Sequence, residues 1–140
     1  MARSSEEVMA AIRDFESEDG NWLGLEVLLD KLFETGVGRE GIEAMLALLE
    51  RNPTEDGAGV FWSIVHGLES LPDYEPALVE SVRRAPAALS LVMIGRLLNA
   101  GAAEVGGIRL TSLLREVEDN EEIAPDIRGT AQGLLERHAT

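Results

Sequence analysis

Apolar residues recur three and four positions apart through most of this chain, the spacing of helices that each bury one face. Val8, Ile12 and Phe15 form the first stripe. Ser4 and Glu7 open it at capping-box spacing, in which each side chain satisfies the other residue's backbone N–H. Asp19-Gly20-Asn21 breaks the pattern, and Asn21 is expected to cap a second helix. That helix carries Leu25, Leu28, Leu29 and Leu32 on one face, with Trp22 and Phe33 flanking, and stops before Gly36. A third runs from about Arg39 to Arg51 with Ile42, Met45, Leu46 and Leu49 inward; Pro53 ends it by forcing Asn52 out of the helical region. The fourth is expected from Asp56 or Gly57 to Leu71, with Phe61, Ile64, Val65 and Leu68 facing the core.

Beyond Pro72 the pattern resumes near Tyr74-Glu75, with Pro76 suited to a first helical turn and Leu78, Val79 and Val82 inward. Arg83 and Arg84 close this fifth helix, where cations complement the helix dipole. The sixth, from Pro86 to about Asn99, is apolar almost all round, the mark of a helix surrounded by protein. The seventh carries Ile108, Leu110, Leu113, Leu114 and Val117. The eighth starts around Ala124-Pro125-Asp126 and carries Ile127, Ala131, Leu134 and Leu135. No segment alternates with period two for long; residues 101–110 alone leave room for a short extended piece.

These elements predict one all-α domain spanning residues 1–140, about eight helices packed as antiparallel hairpins. The expected starts at Ser4, Asn21, Arg39, Gly57 and Glu75 lie 17 or 18 residues apart. Two such helices give a unit of about 36 residues, the size of a helical-hairpin repeat. The units share little residue-level similarity, so a HEAT-like array and an irregular α-solenoid or bundle both fit.

Charge adds the next constraint. Twenty-six acidic residues face twelve basic ones, a formal net charge of −14. A field of that sign repels nucleic acid and anionic membranes and attracts basic partners. Six carboxylates and no cation lie between Glu116 and Asp126, among them Glu118, Asp119, Glu121 and Glu122. Two smaller clusters, Glu16, Glu18 and Asp19, then Glu50, Glu55 and Asp56, also fall near expected helix ends. There is no cysteine, no apolar run of signal-peptide length at the start and none long enough to span a bilayer, so a cytoplasmic protein is expected.

Catalytic signatures are missing: no G-x-S-x-G, no H-E-x-x-H and no Walker loop. No enzyme activity and no cofactor is expected. Gly57-Ala58-Gly59 is a glycine-rich helix start, but Glu55 and Asp56 ahead of it would repel a phosphate and suit an N-terminal cap. Trp62, His66 and Glu69 sit at i, i+4 and i+7 and share a face of the fourth helix. That face either meets a partner, with Trp62 as an aromatic anchor, or packs on another helix of the chain. His66-x-x-Glu69 supplies two metal ligands, which is short of a site, and His138 lies in a terminal segment expected to fray. Arg96, on the most apolar helix, is expected to pair with a carboxylate of a neighbouring helix; the alternative has it orient Glu69 or Asp56 toward a partner.

Four stretches together bear on function: DGAGVFWSIVHGLE at residues 56–69, YEP at 74–76, SVRRAP at 81–86 and RLLNAG at 96–101. Over residues 52–101 the chain resembles small acidic immunity proteins of bacterial polymorphic toxin and contact-dependent inhibition systems. The resemblance implies a cytoplasmic protein that binds a cognate toxin domain and blocks it, and carries no contact residues over. The expected partner is a protein, a basic toxin domain, met through Glu55, Asp56, Trp62, His66, Glu69, Glu118, Asp119, Glu121 and Glu122. The rival expectation is a helical scaffold or adaptor that docks a peptide or protein without neutralising a toxin.

Overall fold

The computed structural model describes residues 5–17, 21–55 and 59–138. Among them are eight helices: α1 (Ser5–Arg13), α2 (Leu23–Thr35), α3 (Arg39–Arg51), α4 (Val60–Glu69), α5 (Glu75–Arg84), α6 (Ala88–Asn99), α7 (Leu110–Asp119) and α8 (Pro125–His138). A two-residue hairpin, β1 (Glu104–Val105) and β2 (Ile108–Arg109), precedes α7, with Val105 opposite Ile108. The all-α expectation holds. Ile108, expected in the seventh helix, lies instead in the extended piece for which residues 101–110 left room. Gly106 and Gly107 turn that hairpin at φ 57° and 81°, a region open to glycine.

The helices form two layers. α1, α3, α5 and α7 pack side by side in one, α2, α4, α6 and α8 in the other, and each consecutive pair is a hairpin across the layers. The odd helices start at residues 5, 39, 75 and 110, a repeat of 34 to 36 residues, so the chain is an α-solenoid of four hairpins. The core between the layers includes Ile12, Leu25, Leu32, Met45, Leu49, Phe61, Ile64, Leu68, Leu78, Leu91, Ile94 and Leu114, all fully buried.

Ring contacts give the helix directions. Trp22, just before α2, meets Phe61 at the start of α4 edge to face at 5.0 Å. Near the other ends of the same helices, Phe33 lies on Gly67, where a Cβ would fall 2.2 Å from the ring. α2 and α4 therefore run parallel, and only glycine at position 67 allows that close an approach.

Arginines tie the odd layer together at its C-terminal ends. Arg51 of α3 donates to the carbonyl of Arg13, the last residue of α1, and to that of Phe15 beyond it. Arg84 of α5 forks onto Glu50 of α3, Nε to Oε1 at 2.8 Å and Nη2 to Oε2 at 2.7 Å. Arg83 reaches Glu116 of α7 at 3.5 Å. Each cation also sits at a negative helix end. Glu50 raises the Arg84 pKa above its ordinary value by accepting that fork. The carboxylate also accepts the hydroxyl of Ser81, which is fully buried, at 2.8 Å. Changing Glu50 to alanine strands that hydroxyl and should cost about 1–3 kcal/mol in a urea melt, whereas Arg83→Ala at the exposed pair should cost under about 1 kcal/mol. Equal losses would contradict this account.

Several helix starts move from their expected positions for local reasons. Asn21, expected to cap the second helix, lies one residue ahead of the N-cap, which is Trp22; the Asn21 Oδ1 accepts the Leu23 N–H at 3.0 Å in the turn that leads into α2. α4 runs from Val60 to Glu69, with Gly59 at a left-handed φ of 94° just before it; the expected start at Asp56 or Gly57 lies outside the described residues, and the helix ends two residues short of Leu71. α6 starts at Ala88, where Ser90 Oγ accepts the Ala87 N–H at 3.0 Å and donates to the Ala87 carbonyl. Ser4, half of the expected capping box, lies outside the described residues. His138 belongs to the last turn of α8 and is half-buried, in contrast to the frayed tail expected there.

Candidate functional site

The ties at the C-terminal ends of the odd helices define one edge of the solenoid. The described residues of the connections from α1 to α2, α3 to α4, α5 to α6 and α7 to α8 lie there. Across this edge the Ala88 N–H, at the start of α6, donates to the Pro53 carbonyl at 2.8 Å. The described members of the three acidic clusters of the sequence map to the same edge. Its cations are mostly committed internally: Arg51 to carbonyls, Arg83 and Arg84 to Glu116 and Glu50, and Arg128 Nε to the Glu118 carbonyl at 2.9 Å. Glu16, Glu55, Asp119, Glu121 and Glu122 are exposed, and among the described residues none of these carboxylates is ion-paired. Glu118, beside them, is half-buried. Asp56, also expected to bind a partner, lies outside the described residues, as do Glu18 and Asp19.

The even helices begin at this edge. α2 there presents Leu23 and Val27, one turn apart and 67% and 54% exposed, against the general rule that its leucines are buried. Neither was singled out by periodicity, because the stripe of Leu25, Leu28, Leu29 and Leu32 accounts for α2 without them. A signal was nonetheless present: an amphipathic helix with apolar residues at positions i and i+4 on its polar side.

The proposed α4 face resolves into parts. Trp62 is half-buried against the core and its ring lies 6.2 Å from that of His66, which is exposed. Glu69 is not available to a partner: its Oε2 accepts Arg96 Nε of α6 at 2.8 Å, and its side chain is only 19% exposed. Arg96 is thus a cross-helix tie, the first of the two roles expected for it. Tyr74 is buried beside this pair. Burial pushes its phenol pKa up, Glu69 and Glu75 push it further, and Arg96 opposes them, so Tyr74 is neutral at physiological pH. The helix therefore divides along its length, with Trp62 near the acidic edge and Glu69 locked at the far end.

No group of three histidine, aspartate or glutamate side chains is placed to hold a metal ion among the described residues. No described helix is long and apolar enough to cross a membrane. The fold and the edge together define a class: an acidic α-solenoid with free carboxylates along one edge and two exposed aliphatic side chains on its first hairpin. Comparison with family models, curated proteins and solved structures returned no match.

Proposed function

We propose that this chain is an immunity protein that acts in the cytoplasm, binding a basic toxin domain of its own system and blocking it. The observation that carries the reading is the acidic edge, where unpaired Glu16, Glu55, Asp119, Glu121 and Glu122 accompany exposed Leu23 and Val27. Apolar contacts ringed by charge are the usual anatomy of a protein interface. Aliphatic side chains supply burial, and a field of −14 steers a cation-rich partner into place. A toxin that grips nucleic acid offers the complementary basic groove, which a polyanionic edge would occupy in place of phosphates. The internal pairing of the edge arginines supports the same reading, because it leaves the negative charge uncompensated for a partner.

Co-expression with the toxin domain encoded beside it tests this. The expected result is protected cells and a complex that co-purifies. Absence of both would sink the proposal, and binding without protection would favour an adaptor. The association rate constant is also expected to fall by about tenfold or more between low and high salt. Stopped-flow mixing measures it, and a salt-independent rate would remove the electrostatic role.

A further inference from the structure

The opposite edge of the solenoid holds a different feature. Where the connection from α2 to α3 meets that from α4 to α5, a cleft of about 470 Å³ opens. Its walls are Val37, Ile42, Leu71, Pro72, Pro76 and Ala77, with Arg39 and Asp73 also lining it. The volume is ample for a large side chain.

The walls are preformed. Pro72 and Pro76 fix their own φ angles. The turn between them is flanked by the Leu71 N–H on the Leu68 carbonyl at 3.0 Å after α4 and by the Leu78 N–H on the Tyr74 carbonyl at 3.0 Å in the first turn of α5. A preformed site loses little entropy on binding.

Its charge identifies the occupant. Arg39 is offset by Glu43, Nε to Oε1 at 3.2 Å. Glu40 and Glu75 occupy the first turns of α3 and α5 beside the cleft. Asp73 has φ 59°, the one described non-glycine residue at positive φ. Glycine is the low-strain choice there, and aspartate is one of the few other residues that tolerate it. The position thus keeps a carboxylate on an apolar cleft at some conformational cost.

We propose that this cleft docks a basic segment of another polypeptide, one large apolar side chain entering between Pro72 and Ile42 while an adjacent lysine or arginine meets Asp73. It lies on the edge opposite Leu23, Glu55 and Glu121, so it is a second docking surface whose failure leaves the toxin-binding reading intact.

The test titrates ¹⁵N-labelled protein with the tripeptide amides Lys-Trp-Lys, Glu-Trp-Glu and Lys-Gly-Lys. Lys-Trp-Lys is expected to bind about tenfold tighter than either control, with shifts confined to residues 37–42 and 71–77. Asp73→Asn keeps the backbone preference and removes the charge; it should weaken Lys-Trp-Lys roughly three- to tenfold with an unchanged Tm. Ala77→Gln, which narrows the cleft, should weaken Lys-Trp-Lys in the same titration, and carries the test if Asp73→Asn misfolds. Equal affinity for the three peptides, shifts centred elsewhere, or full affinity in both variants would overturn the proposal.

Discussion

Replacing Phe61 by alanine should lower the free energy of unfolding by about 3–5 kcal/mol. Phe61 is fully buried, and its ring receives that of Trp22 edge to face at 5.0 Å, with Phe15 a further 5.7 Å beyond Trp22. The three rings connect the first hairpin to the second. Truncation removes the transfer energy of an aromatic side chain and leaves a void, and it also removes an aromatic pair worth about 0.5–1.5 kcal/mol. Because a solenoid is held by neighbouring units, the damage concentrates at that junction. Hydrogen exchange should therefore speed up in α1 and α2 more than in α7 and α8. A urea melt measures the total. A loss under about 1 kcal/mol, or uniform loosening of all four hairpins, would show that this aromatic chain does not couple them.

The second large effect concerns binding. If the proposed complex with a toxin domain forms, changing Leu23 and Val27 together to serine should weaken it by roughly 30- to 1000-fold, about 2–4 kcal/mol, while leaving the melting temperature within a few degrees. Both side chains are exposed in the free protein, 67% and 54%, so removing them costs the fold little. In that complex they would supply a dry contact that the carboxylates along the edge cannot, since charges at an exposed rim contribute mainly to the rate of encounter. The expected signature is a faster dissociation rate with a nearly unchanged association rate, measured by surface plasmon resonance. Charge reversal at Glu121 and Glu122 would do the opposite. If the double serine variant binds as tightly as the parent, the interface lies elsewhere on the solenoid.

Much of this organisation was legible in the residues. Phe61, Ile64, Val65 and Leu68 were assigned inward on α4 from spacing alone and are all fully buried. Asn21, Pro53 and Pro72 mark the helix boundaries they were expected to mark, within two residues. The possible extended piece near residues 101–110 is the β1–β2 hairpin. Contacts between distant segments were less legible. Glu69 looked like part of a presented face because helical spacing says which residues share a side, not what stands opposite them. The ion pair with Arg96 comes from another helix, 27 positions along the chain. Glu50 looked like one more carboxylate of an acidic cluster and is instead the acceptor that joins α5 to α3. Leu23 and Val27 are not legible as surface residues, because a helix with a complete leucine stripe leaves its remaining apolar positions unassigned.

The sequence by itself determined the helices, their inward faces and the acidic character. These follow from local spacing, breakers and formal charge, which act within a few residues. Only the tertiary structure decided that odd and even helices form separate layers, bringing the loops from α1 to α2, α3 to α4 and α7 to α8 to one edge. There carboxylates far apart in the chain share one edge, and there Arg83 and Arg84 neutralise Glu116 and Glu50. That pairing rests on packing between parallel helices some 35 residues apart, which a linear pattern does not encode.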